Sequence, residues 1–220
     1  MNSFLSKSKN RFLLSVLSGC LMFLSFPYTG SLTLLVFISF VPLLLLEEYI
    51  ANNSKGKNIF IHSYLTFLVY NLGSTWWIWN ASEGGMLFAV FLNSLLMSLF
   101  FQFFHVLKKV VSRKHGIFFL FITWISFEYF HYSWELSWPW LNLGNVFSIT
   151  PKIVQWYEYT GVLGGSLWIL IVNYCFYNLI ISYKNNKQIS KVSLYILSIT
   201  LIVPIIISLV IYSTYNEKED

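Results

Sequence analysis

The stretch MLFAVFLNSLLMSLFFQFFHVL, Met86 to Leu107, contains no Asp, Glu, Lys or Arg and is long enough to cross a bilayer as a helix. Working outward from it, six further apolar runs have the same character: Phe12–Phe26, Leu32–Leu46, Ile59–Trp79, Ile117–Phe130, Val162–Ser182 and Val192–Tyr212. The first two are short, and Pro27 with Gly30 between them marks a tight turn, so they read as a hairpin that is tilted or partly interfacial. Across 220 residues the chain is 56% hydrophobic, 20% aromatic and 10% charged, against about 25% charged in soluble domains. Abundant apolar surface excludes disorder, and two cysteines exclude a disulfide scaffold. The fold expected is an all-α polytopic membrane helix bundle of about seven spans, with residues 1–220 forming a single transmembrane domain.

The net charge of +5 does not indicate nucleic acid, because Lys and Arg fall in short separated loops rather than on one face. Lys7, Lys9, Arg11, Lys55, Lys57, Lys108, Lys109, Arg113, Lys114, Lys184, Lys187 and Lys191 make 12 of the 14 and occupy one set of alternating loops; only Lys152 and Lys218 occupy the other. Cytoplasmic loops retain positive charge, so the amino terminus is expected in the cytoplasm and the carboxyl terminus outside. Glu47 and Glu48 are then placed at the inner side, and Glu83, Glu128, Glu135 and Glu158 at the outer.

The longest non-spanning stretch, 131–160, is rich in Trp and Tyr, which sit well at a membrane interface because their rings are amphipathic. An aromatic belt accounts for the rings alone. The polar residues among them, Glu135, Asn142, Asn145 and Gln155, and Glu128 just before, point to a structured outer segment lining a lipid-accessible cavity. Glu128 and His131, three apart, share a helix face and could pair. Other signals carry little chemistry. Leu17-Ser18-Gly19-Cys20 resembles a lipobox, but the apolar run continues through Leu24, so a small-residue packing face on the first span is the better reading. Cys175 lies in an apolar run without a basic neighbour, which leaves a thiol inert. His62, His105, His115 and His131 form no metal-ligand spacing; His105 and His115 read as interfacial, and neither a metal nor a cofactor is expected. Gly161, Gly164 and Gly165 indicate close helix packing, and Pro204 a kink.

A more specific pattern is Trp134-Glu135-Leu136-Ser137-Trp138-Pro139-Trp140-Leu141-Asn142-Leu143-Gly144-Asn145, followed by Pro151, Gln155-Trp156, Gly161 and Asn173. It resembles the membrane domain of apolipoprotein N-acyltransferases, which carry an FPW-L-x-x-G element, a Pro and a Gln, a Gly-containing helix start and an Asn. Leu24-Ser25-Phe26-Pro27, the run from Phe37 to Leu44, and Thr75-Trp76-Trp77-Ile78 with Gly84 agree, so the resemblance covers nearly the whole chain. Two departures stand out. The family's Phe before Pro-Trp is Trp138, and its Glu-Trp-x-Arg element reads Glu128-Tyr129-Phe130-His131, which replaces a fixed cation by an imidazole and leaves open the headgroup contacts inferred for that arginine.

The resemblance implies a bacterial inner-membrane protein that helps move an acyl chain from phospholipid to the amino group of a lipidated N-terminal cysteine. In that family a nitrilase-like domain with a Glu, Lys and Cys triad performs the chemistry after the last of these spans. This chain stops at Asn216-Glu217-Lys218-Glu219-Asp220, where that domain would begin, so no catalytic residue is assigned. The expectation is a truncated product or one subunit of a split enzyme with a separate nitrilase-like chain as partner. A non-enzymatic lipid-binding scaffold is the alternative, and a small transporter is disfavoured by the scarcity of ionisable residues in the spans. Phospholipid and lipoprotein are the implied ligands, held by Glu135, Trp138, Pro139, Trp140, Asn142 and Gln155, with Glu128 and His131.

Overall fold

The structure, a computed structural model, describes residues 2–53, 59–111 and 115–215. Lys55, Lys57, Arg113, Lys114 and the tail 216–220, on which part of the charge pattern and the expected junction with a catalytic domain rest, lie outside the described residues. All seven apolar runs are helical, and no strand occurs among the described residues. The helices are α1 (Asn2–Ser6), α2 (Ser8–Ser25), α3 (Val41–Asn52), α4 (Ile59–Thr75), α5 (Glu83–Val110), α6 (Ile117–Phe130), α7 (Tyr157–Asn186) and α8 (Lys191–Thr214).

Among the described residues, four helical segments are long and apolar enough to cross a membrane: Thr33–Asn52, Glu83–Val110, Tyr157–Asn185 and Lys191–Thr214. The other three are shorter or begin among charges. α2 carries Lys9 and Arg11 in its first turn, α4 gives way at Trp76 to a 3₁₀ turn, Trp76–Asn80, and α6, with 14 residues, extends only about 21 Å. Local chemistry sets the ends of α5: the Ser82 hydroxyl accepts from Gly85 N, Glu83 lies in the first turn, and Lys108 and Lys109 in the last, each favourable to the helix dipole.

The expected hairpin is corrected in detail. Its second arm begins as a 3₁₀ helix, Thr33–Ile38, breaks at Ser39 and Phe40, and continues as α3 to Asn52 rather than stopping at Leu46. The break survives in an apolar interior because buried side chains satisfy it. Asn173 of α7 accepts from Phe40 N at 2.8 Å and donates to Val36 O at 2.8 Å, and the Ser18 hydroxyl donates to Ser39 O. Glu47 and Glu48 consequently lie within α3. Glu47 is buried, bonded to His105 Nδ1 at 2.7 Å and Lys108 Nζ at 2.6 Å, and Lys108 also reaches Glu48 at 2.8 Å. His105 is thus buried against a carboxylate at this end of α5.

α2 packs against α4, α4 against α5, and α7 and α8 close the bundle. The small-residue reading of α2 holds at Gly19, where a Cβ would stand 2.5 Å from Thr66 O, and at Ser15, which is buried against His62 at 3.0 Å. α8 runs through Pro204 as one helix and buries only Leu197 and Ser208, so most of its surface is left for lipid. One end of the bundle gathers α1, the Glu47–His105–Lys108 cluster and the starts of α2 and α4; this is the basic end. At the other end the Phe26–Thr29 turn, the Trp76–Asn80 turn and the segment 131–156 meet. Lys152 lies 4.9 Å over the Tyr212 ring, which brings the end of α8 to this aromatic end.

Candidate functional site

After α6 the chain never regains a helix until Tyr157, passing instead through short 3₁₀ turns at Pro139–Leu141, Leu143–Phe147 and Pro151–Ile153. Each Pro stands where its missing N–H costs nothing, and Trp138, before Pro139, is kept out of the helical region (φ −140°, ψ 60°). Such a segment would be costly beside lipid unless its backbone groups were captured. They are captured by buried side chains from three helices. Tyr70 of α4 donates to Leu141 O at 3.1 Å, Glu128 of α6 accepts from Leu143 N at 2.8 Å, Ser166 of α7 accepts from Gly144 N at 2.9 Å, and Tyr157 donates to Gly144 O at 3.0 Å. Gly144 is required by this proximity: a Cβ there would lie 2.2 Å from Val162 O. α7 bends just beside it at Gly161, whose φ of 65° suits glycine.

The locked segment places Trp138, Pro139 and Trp140 between two cavities. The larger, about 540 Å³, is walled by Phe26, Trp76, Trp77, Trp140 and Leu141 with Thr29, Ser74, Asn145 and Ser148 as polar members. Trp140 is 63% exposed and meets Trp77 edge to face at 6.5 Å, so its ring is presented rather than packed. The smaller, about 200 Å³, lies between α5 and the loop, with Phe88, Leu92, Asn93, His131, Trp134 and Trp138 among its lining.

The expected residues divide by role. His131 and Trp138 line the smaller cavity and Trp140 the larger. Pro139 stands between them, its carbonyl accepting from Asn142 N at 3.1 Å and Asn145 Nδ2 at 2.9 Å. Glu128 and Asn142 work from inside: Glu128 is buried and also accepts from Trp124 Nε1 at 2.9 Å, and Asn142 donates to Tyr132 Oη at 3.0 Å. Gln155 anchors the far end, donating through Nε2 to Pro151 O at 2.8 Å and through its backbone N–H to the Ser208 hydroxyl. Glu135 is exposed and lines neither cavity. The expected Glu128–His131 pair does not form. His131 caps α6, its ring lies edge to face with Phe127 at 4.7 Å, and its Nδ1 accepts from Trp134 Nε1 at 3.2 Å. Burial pushes the His131 imidazole down to about 4, so it is neutral at pH 7.

With this geometry in view, a family model described as the apolipoprotein N-acyltransferase N-terminal domain matches residues 18–175, from the middle of α2 to the middle of α7. The chain belongs to the apolipoprotein N-acyltransferase family. An apolipoprotein N-acyltransferase of Chlorobaculum tepidum is 31% identical over 164 residues, 74% of this chain and 30% of the relative. That of Geobacter metallireducens is 29% identical over 185 residues, 77% of this chain and 33% of the relative. The chain thus spans about a third of the length of the curated N-acyltransferases it matches. No solved structure gives a significant match. In this N-acyltransferase membrane domain, several residues that build the site carry weak sequence signals. Asn93 sits alone in an apolar run, and Tyr70, Tyr157 and Ser166 act only through loop carbonyls and amides that sequence spacing does not reveal.

Proposed function

We propose that the chain is the membrane domain of an apolipoprotein N-acyltransferase, holding an acyl-donor phospholipid and a diacylated lipoprotein at the outer face of the bacterial inner membrane. The observation that carries this is the Trp138–Pro139–Trp140 element, fixed between two cavities by side chains of α4, α6 and α7. A volume near 540 Å³, with apolar walls and a few polar groups, suits the part of a lipid where acyl chain meets ester. The chemistry belongs to a nitrilase-like domain. There a Cys thiolate attacks the phospholipid ester, releasing a lysophospholipid as the thioester forms, and the lipoprotein amine then attacks the thioester, regenerating the thiol. The membrane domain contributes proximity, since both substrates are confined to the bilayer and must present their headgroups at one point. Cys20, half-buried, and Cys175, buried, are free thiols within apolar helices, surroundings that suit neither to nucleophilic work.

Two measurements test the proposal. In bilayers containing a phospholipid with a photoreactive group on its first acyl carbons, labelling should concentrate on Trp76, Trp77 and Trp140 and fall severalfold in Trp140→Ala. Labelling confined to the outer surface of α8 and indifferent to Trp140→Ala would remove the cavity from the argument. The purified 220-residue chain, given phospholipid and a diacylated lipopeptide, should form no triacylated product; turnover abolished by Cys175→Ser would place the chemistry within these helices instead.

A further inference from the structure

Two residues that line the smaller cavity, Asn93 and His131, each hold a buried polar atom without a hydrogen-bond partner in the protein, Asn93 Oδ1 and His131 Nε2. Both side chains are almost wholly buried, Asn93 at 4% and His131 at 2% exposure. Leaving such atoms bare in an apolar wall is costly, so an occupant that pairs with them is favoured.

The surrounding protein fixes what each atom offers. An indole N–H can only donate, so the 3.2 Å bond from Trp134 Nε1 makes His131 Nδ1 the acceptor and leaves the proton of the neutral ring on Nε2. Nε2 therefore presents a donor. On the other wall, Asn71 donates through Nδ2 to Phe67 O at 2.8 Å, and a carbonyl can only accept, which turns Asn71 Oδ1 toward Asn93. Asn93 answers with Nδ2 at 2.7 Å, and its Oδ1 remains as an acceptor. The cavity thus combines one fixed donor with one fixed acceptor, no net charge, and apolar walls from Phe88, Leu92 and Trp138.

We infer that this cavity binds a hydroxyl group of a membrane lipid, which accepts from His131 Nε2 and donates to Asn93 Oδ1. An ester oxygen would satisfy His131 but leave Asn93 unpaired. An ammonium, as in an ethanolamine headgroup, would satisfy Asn93 but face the Nε2–H with another donor. A hydroxyl meets both. It has two sources, a glycerol headgroup or the free backbone hydroxyl of a lysophospholipid, and about 200 Å³ admits either. The inference rests on the reading that the aromatic end receives phospholipid, and refines it by naming the group selected. The neutral state of His131 separates this site from a phosphate-binding one, for which a permanent cation is the natural residue.

The test is competitive lipid retention by the purified full chain in detergent, read by native mass spectrometry. The probes are dioleoyl phosphatidylglycerol, dioleoyl phosphatidylethanolamine and 1-oleoyl lysophosphatidylethanolamine. Loss of one buried hydrogen bond corresponds to about tenfold in affinity, so one hydroxyl-bearing probe should be retained about tenfold over the diacyl ethanolamine lipid. Preference for the glycerol lipid assigns the headgroup, and preference for the lysolipid assigns the backbone hydroxyl. Asn93→Leu should erase the preference without lowering total bound lipid, and Trp134→Phe, which frees the His131 tautomer, should reduce it. Equal retention of all three probes, or a preference unchanged in Asn93→Leu, overturns the inference and leaves a cavity holding water. Because the photolabelling at Trp140 reports the larger cavity, failure here is distinguishable from failure of the proposed function.

Discussion

Glu128 shows how one buried side chain can hold a whole segment in place. A single carboxylate oxygen accepts from Leu143 N and Trp124 Nε1, both buried, so it ties the aromatic segment to α6. Glu128→Leu strands two donors at about 1–3 kcal/mol each, whereas Glu128→Gln retains an acceptor. Thermal unfolding in detergent should therefore show a large fall in midpoint for Leu and a small one for Gln; equal falls would mean that shape rather than hydrogen bonding matters at this position. His131 gives a pH-dependent counterpart. Its folded value of about 4 lies below the roughly 6.5 of an unfolded imidazole, so between these limits the unfolded chain binds the extra proton. Stability from keeping His131 neutral is complete above about pH 6.5, declines as pH falls toward 4, and amounts to no more than about 3 kcal/mol. The midpoint of the wild type should drop more between pH 7 and 4.5 than that of His131→Phe; parallel curves would assign the loss to another group. The motif made Trp138 and Trp140 legible in sequence as neighbours of a cavity, because Pro and paired Trp at fixed spacing are unusual, whereas His131 was singled out for a pairing with Glu128 that does not form. Asn93 was not legible, since one amide in an apolar run gives no sign of the partner it meets across a helix interface.

At the scale of elements, apolar run length located every helix from α2 to α8 but not the five-residue α1, and α6 has the limits that its composition marks, Ile117–Phe130. The misreadings arose where side chains from distant elements override hydropathy. Leu32–Leu46 reads as one uninterrupted run, yet its backbone breaks at Ser39 and Phe40 because Asn173 and Ser18 supply the missing partners. Glu47 falls just beyond the apolar run, and nothing in its neighbourhood reveals that His105 and Lys108, some sixty positions later, stand beside it. The buried ion pairs then permit α3 to continue to Asn52. Asn173 is the clearest case of an element held by a single residue. Asn173→Leu preserves volume and apolarity in α7 but leaves Phe40 N and Val36 O unpaired, at a cost of a few kcal/mol. Backbone amide exchange should rise at Phe40 and across Thr33–Ile38 while α8, which packs chiefly on α7 and the Pro151–Ile153 turn, keeps its protection; uniform loss of protection would instead indicate collapse of the bundle.

For the molecule as a whole, the two ends differ in chemistry, and that difference carries an orientation. The sequence places 12 of 14 Lys and Arg in the loops of one set. Among the described residues, helix ends next to these loops meet: α3 and α5 through Glu47, His105 and Lys108, and α2 and α4 through Ser15 and His62. The aromatic end has Lys152 as its described basic residue, tucked over Tyr212, and α8 finishes beside it through the Gln155–Ser208 bond. Positive loops are retained in the cytoplasm, so both cavities and the end of α8 should face the periplasm, where an acyl-transferring domain joined to or docked beside α8 would reach them. Alkaline phosphatase fused after Tyr215 should be active and a cytoplasmic reporter at the same point silent, with the reverse pattern for fusions after Asn53. A cysteine placed at Glu135, which is exposed and outside both cavities, should react with a membrane-impermeant maleimide in intact spheroplasts. Protection of that cysteine until the membrane is permeabilised, together with an inactive phosphatase after Tyr215, would turn the molecule over and separate the aromatic end from any periplasmic chemistry.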